Sequence, residues 1–245
     1  MRIINIFGAP GAGKSTACLG LAYELKRRWI QTEYVPEFAK DLVWRESAHL
    51  LKHQLYVFAE QQLRIDCLKG KTEIAVCDSP LLLSSFYSPE DYPLPFKQAV
   101  FEFFDQYDNL NFFIRRSHAY VAPGRIQTEE QSDRLADSME EFLYQTGVPF
   151  YNITASDDTP RHLLWWMEKE GLIQPQNEKP LGPEFRPPAD WQMPRLRHRT
   201  WPNGSSKRSM AAIARYYLDK DIPTAVDAAG QGPSSAELPP GDAIE

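Results

Sequence analysis

Ile3, Ile4, Ile6 and Phe7 form a nearly continuous apolar run, the pattern of a parallel strand covered on both faces by helices. Four more short runs of this kind follow at 33–35, 74–77, 110–114 and 148–153. Each is separated from the next by enough chain for a crossover helix. The intervening segments carry helical spacing. Cys18, Leu21, Ala22, Leu25 and Trp29 share one face, and Leu135, Met139, Phe142 and Leu143 share another. Asp158, Thr159 and Pro160 read as a helix start before Leu163, Leu164 and Met167. The alternation predicts an α/β fold with five parallel strands flanked by helices.

Past 173 the pattern changes. Pro175, Pro180, Pro183, Pro187, Pro188, Pro194 and Pro202 exclude a regular helix or central strand there, leaving a wrap-around arm or a linker. Ser209 is placed to cap a short helix with an apolar face of Met210, Ile213, Ala214, Tyr217 and Leu218. After Ile222 the small, acidic, Pro-containing composition predicts a disordered tail. The expected division is a catalytic domain at 1–173, a proline-rich basic arm with a short helix at 174–222, and a tail at 223–245.

Composition narrows the class without defining it. With 42% hydrophobic and 24% charged residues, the 245-residue chain suits a globular domain with an appendage. No apolar run approaches the roughly 20 residues that span a bilayer, and the N-terminus has no secretory pattern, so a cytoplasmic location is expected. Cys18, Cys67 and Cys77 show neither metal spacing nor a disulfide framework, and are expected to be reduced and mostly buried. The net charge of −6 gives no global attraction to nucleic acid.

The strongest chemical signal is Gly8-Ala9-Pro10-Gly11-Ala12-Gly13-Lys14-Ser15, which satisfies the phosphate-loop pattern G-x-x-x-x-G-K-[ST]. It stands between a strand and an amphipathic helix, where backbone amides and the helix N-terminus converge on phosphate oxygens. Lys14 is expected to reach the β- and γ-phosphates of a nucleoside triphosphate such as ATP, Ser15 to ligate Mg²⁺, and Thr16 to contact the α-phosphate.

In parallel sheets ligands bind beyond the strand carboxyl ends, which directs attention to acids placed there. Asp78 follows the third run and Glu37 the second. Asp78 fits a metal-linked carboxylate and Glu37 a general base for an acceptor hydroxyl, although the two roles are interchangeable at this level. Arg115, Arg116, Arg125 and Arg134 cluster after the fourth run and suit a cationic lid. Arg125 is preferred because Gly124 gives it a hinge. His118 and Tyr120 fall in the same stretch. Gln61 and Gln62 suit contacts to a base or sugar, or a polar helix face. His49 and His53 have i, i+4 spacing without a third ligand.

A basic patch is embedded in the arm: Arg186, Arg195, Arg197, His198, Arg199, Lys207 and Arg208 interleave with Trp191 and Trp201, opposed by Asp190. Such a segment suits phosphate contacts and base stacking on a polynucleotide, or a strap pinned to the core by its tryptophans.

The phosphate loop, Val35-Pro36-Glu37-Phe38-Ala39-Lys40, the Gln61-Gln62 pair and Cys77-Asp78-Ser79-Pro80 together resemble small P-loop kinases. The resemblance is greatest to the ribosylnicotinamide-kinase group and its bacteriophage relatives. It covers about residues 1–153. It implies a nucleoside-kinase-like P-loop NTPase fold, an ATP–Mg²⁺ donor, a lid arginine at Arg125 and secondarily Arg116, and site roles for Asp78 and Glu37. Some phage relatives phosphorylate 5-hydroxymethyluracil within DNA, so DNA carrying that base is the specific acceptor the resemblance implies. A free nucleoside, ribosylnicotinamide or a nucleoside monophosphate is the alternative acceptor. A nucleotide-driven switch acting on a protein partner is the alternative of another class.

Overall fold

A computed structural model describes residues 1–121, 126–174, 186–199 and 210–218. The five expected strands form: β1 (Arg2–Phe7), β2 (Thr32–Val35), β3 (Ile74–Cys77), β4 (Asp108–Arg115) and β5 (Phe150–Thr154). They pair in parallel in the order β2-β3-β1-β4-β5. The sheet is nevertheless six-stranded. Arg195–Arg197 forms β6, antiparallel to the outer edge of β5. Proline density in the arm argued against a central strand, but a three-residue edge strand that begins directly after Pro194 meets no conflict with it.

Eight α-helices are present among the described residues: α1 (Lys14–Arg27), α2 (Phe38–Trp44), α3 (Gln54–Asp66), α4 (Leu82–Phe86), α5 (Leu94–Phe104), α6 (Glu129–Gln145), α7 (Thr159–Lys169) and α8 (Met210–Leu218). Alternation along the strands divides the core. Ile3, Phe7, Ala75, Cys77, Phe113 and Phe150 face α3, α4, α5, α6 and α8. Ile4, Ile6, Val76, Phe112 and Ile114 face α1 and α7. A Cβ added at Gly20 would lie 2.5 Å from Pro160 Cγ, so this glycine lets α1 and α7 pack closely. No helix among the described residues is long and apolar enough to cross a membrane.

Two apolar positions depart from the expected faces. Trp29 is 61% exposed because α1 has already ended. Its N–H donates to Lys26 O, that of Ile30 donates to Leu25 O, and Trp29 itself turns left-handed at φ 61°, the hydrogen-bond pattern of a Schellman cap. In α8 the buried residues are Ala212, Ile213 and Tyr216, while Leu218 is exposed. Ser209, the expected cap of α8, lies outside the described residues, as does the 223–245 tail. Within β1, buried Asn5 donates to the side-chain carbonyls of Asn109 and Asn111. This polar rung satisfies its own partners and fixes the pairing of β1 with β4.

Candidate active site

The phosphate loop begins where β1 ends. Gly8 leaves the strand at φ 149°, and a Cβ there would come within 2.6 Å of Ile114 O on β4. Only glycine permits that passage. The Ala12 N–H donates to Ala9 O at 3.2 Å, and the Ala17 N–H donates to Gly13 O as α1 starts. No acidic residue occupies the first turn of α1, so the positive end of the helix is open to an anion. Lys14 Nζ donates to Ala9 O at 3.1 Å and thus folds over the loop it belongs to. Ser15 is partly buried and Thr16 exposed.

The two strand-end carboxylates converge on this loop through the register of β2 and β3. Val35 pairs with Cys77, and the Asp78 N–H donates to Val35 O at 3.1 Å. Asp78 is buried: its Oδ2 accepts from Tyr34 Oη at 3.1 Å, and its Oδ1 is buried with no hydrogen-bond partner. Glu37 occupies the N-cap position of α2 but makes no side-chain cap bond. Its charge is felt at the site instead. Burial pushes the Glu37 carboxyl above its ordinary range; Lys14 opposes that rise and Asp78 adds to it. Burial likewise pushes the Cys77 thiol up to about 12, and raises that of Cys18, which lies within reach of Lys14, Asp78 and Glu37. Both thiols are protonated at neutral pH. Cys67 is exposed, and none of the three is in a disulfide.

Gln61 has a different place from the base or sugar contact its position suggested. Its Oε1 accepts from the Phe38 N–H at 3.0 Å, its Nε2 donates to Pro36 O at 3.2 Å, and the side chain is buried. These bonds brace the residues on either side of Glu37. Arg64 adds a second brace by donating to Pro36 O and pairing with Asp41. Gln62 donates to Asp66 within α3. His49 lies in a 3-10 turn (Ala48–Lys52) that ends before α3, so His49 and His53 do not share one helix. No group of three His, Cys, Asp or Glu side chains suited to hold a metal occurs among the described residues.

Of the lid arginines, Arg125, with Gly124, lies outside the described residues. Arg115 pairs with Asp137 and Glu140 of α6, and Arg116 pairs with Glu129 and Asp133. Arg134 is exposed on α6. His118 Nε2 lies 3.4 Å from the point where a Gly13 Cβ would stand, beside the phosphate loop. Tyr120 Oη donates to Gln127 O. Sequence reasoning missed Ser132, whose hydroxyl donates to Pro10 O at 2.6 Å and ties α6 to the loop. Its signal is a polar residue on the buried face that continues through Leu135, Met139 and Phe142.

The described cations of the arm are partly engaged by the core. Arg197 pairs with Glu140 at 2.9 Å, and Arg199 donates to Gln145 O at 3.2 Å. Trp191 packs against His162 and Trp165. Arg195 and His198 are exposed. Lys207, Arg208 and Trp201 lie outside the described residues.

Mg²⁺ prefers one or two carboxylates together with substrate phosphates over an all-protein cage. Asp78, with one buried oxygen that has no hydrogen-bond partner, and Ser15 in the adjacent loop fit that requirement.

A strand, a glycine-rich turn and a helix N-terminus with two acids at the neighbouring strand ends define a P-loop α/β domain. The chain belongs to the family described as AAA domain, whose model matches residues 3–159. Solved structures similar to it include deoxyadenosine kinase from M. mycoides with the products dCMP and a flexible dCDP bound. That structure has 19% identity and a TM-score of 0.43, over 71% of this chain and all of the other. The same kinase with bound dATP gives 20% identity and a TM-score of 0.43, over 70% of this chain and all of the other. No curated protein matches the chain.

Proposed function

We propose that this chain is an ATP-dependent phosphotransferase acting on a hydroxyl of a nucleoside or nucleobase. The observation that carries the reading is the convergence of Glu37 and Asp78 on Lys14 at the carboxyl end of the sheet. Loop amides and Lys14 hold the triphosphate and align its terminal phosphorus. Glu37, braced from both sides by Gln61, takes the proton from the acceptor hydroxyl as its oxygen attacks the terminal phosphorus and the bond to the β-phosphate oxygen breaks, releasing ADP. A raised pKa makes it a stronger base than an exposed carboxylate. Asp78 and Ser15 would hold Mg²⁺, which would supply charge neutralisation for the transferring phosphoryl group.

A specific acceptor within this class is 5-hydroxymethyluracil in DNA. The placement of Arg195 favours it. Arg195 is exposed on the arm's edge strand, opposite Asn152 in the middle of β5. A free nucleoside needs no such cation outside the cleft.

Transfer from γ-labelled ATP to a panel of acceptors tests both levels. The panel comprises free nucleosides, ribosylnicotinamide, nucleoside monophosphates, and DNA with and without 5-hydroxymethyluracil. Label should pass to one acceptor class and be lost in Lys14→Ala. ATP hydrolysis with no labelled acceptor would sink the phosphotransferase reading. Transfer to free nucleosides but not to hydroxymethylated DNA would remove only the DNA acceptor.

A further inference from the structure

We infer that Tyr34 is a positioning residue for Asp78: its phenol holds one carboxylate oxygen and reserves the other for the divalent cation that accompanies the triphosphate. The inference rests on the phosphotransferase reading above and assigns a residue outside the phosphate loop to the metal-linked side of that site.

Tyr34 pairs with Val76 across β2 and β3. Side chains alternate along a strand, so Tyr34, Val76 and Asp78 lie on the same face of the sheet, the one covered by α1. The phosphate loop leads into α1, whose Ala17, Cys18 and Leu21 cover that face. The Tyr34 hydroxyl donates to Oδ2 at 3.1 Å. Oδ1 is equally buried and has no hydrogen-bond partner. A buried carboxylate oxygen left this way loses its hydration without compensation, which is economical only where a ligand supplies the partner. Without the hydroxyl, rotation about the Asp78 carboxyl torsion is unopposed and neither oxygen is favoured for the cation.

Fluorescence titration of N-methylanthraniloyl-ATP against Mg²⁺, on the full chain, tests this. In wild type, nucleotide affinity should rise with Mg²⁺. Tyr34→Phe keeps the ring, and should raise the half-saturating Mg²⁺ concentration roughly threefold to tenfold, as expected for the net contribution of one ordinary hydrogen bond. Nucleotide binding without Mg²⁺ should be unchanged. In an Asp78→Asn background the same substitution should shift the Mg²⁺ midpoint by less than about twofold, because the pair is coupled. An unchanged midpoint in Tyr34→Phe, or equal shifts with and without Asp78, overturns the positioning role and leaves the phosphotransferase reading standing. Wild-type binding that ignores Mg²⁺ removes the metal-linked site itself, and the role of Tyr34 with it.

Discussion

Gln61 shows how one side chain can serve a site without facing its ligand. Both ends of its amide are spent on the backbone around Glu37, so Gln61→Leu should leave the buried Phe38 N–H without a partner, while Pro36 O keeps its bond from Arg64. The expected cost is roughly 1–3 kcal/mol of stability for that buried group, seen as a lower denaturation midpoint. Turnover should fall while the order of preference among acceptors is unchanged; a glutamine that read the acceptor base would alter that order. Glu37→Gln separates chemistry from binding in the same place. Turnover should drop by about two to four orders of magnitude with ATP affinity nearly constant, as measured by single-turnover kinetics beside equilibrium nucleotide binding. The phosphate loop was legible because its parts are consecutive in the chain and each answers a local geometric demand. Tyr34 and Ser132 were not, since their partners lie 44 and 122 positions away and only the assembled sheet brings them together.

At the level of elements, helix endings follow one rule with two chemistries. α6 and α7 end in Schellman bonds with Gly147 and Gly171 at the left-handed position, whereas α1 and α2 place Trp29 and Glu46 there. Left-handed backbone costs a non-glycine residue roughly 1–2 kcal/mol, offset in part by the larger chain entropy of glycine. Glu46→Gly, at an exposed position, should therefore stabilise the domain by somewhat under about 1 kcal/mol, detectable by thermal melting. Elements are also tied by Glu140. From α6 it accepts from Arg115 of β4, Asn152 of β5 and Arg197 of β6. Burial alone would raise its pKa, but these donors outweigh burial and hold it below the ordinary carboxylate range. The folded state then favours the ionised form, so this stability is present above the unfolded pKa and is lost as pH falls through the folded one. Glu140→Gln should cost roughly 1–3 kcal/mol at neutral pH, and the gap to wild type should close in melts taken below about pH 4. Strand and helix order could be read from periodicity, because each element's apolar face is local. β6 escaped because three exposed residues carry no alternating apolar pattern, and only the open edge of β5 makes them a strand.

The whole molecule joins the arm to the fold more closely than its proline content suggested. On one side α8 enters the main core cluster: Ile213 is fully buried, Tyr216 stacks edge-on against Phe142 at 5.3 Å, and Tyr217 Oη donates to Ser85 O at 2.9 Å. Burying such side chains contributes roughly 1.5–3 kcal/mol each. Removing residues 183–245 should thus lower the melting temperature and expose Phe142, so lost activity in that truncation would not identify a DNA-binding surface. On the other side the arm's cations divide by role. Arg197 and Arg199 are held by α6, whereas Arg195 is exposed opposite the middle of β5. Arg195→Ala should change stability by no more than about 0.5 kcal/mol. If hydroxymethylated DNA is the acceptor, the variant should bind it less tightly, and the slope of log affinity against log salt should become shallower by about one. Transfer to a free nucleoside should be untouched. Equal salt slopes in wild type and variant would take Arg195 out of DNA recognition, and with it the observation that favours a polynucleotide acceptor over a small one.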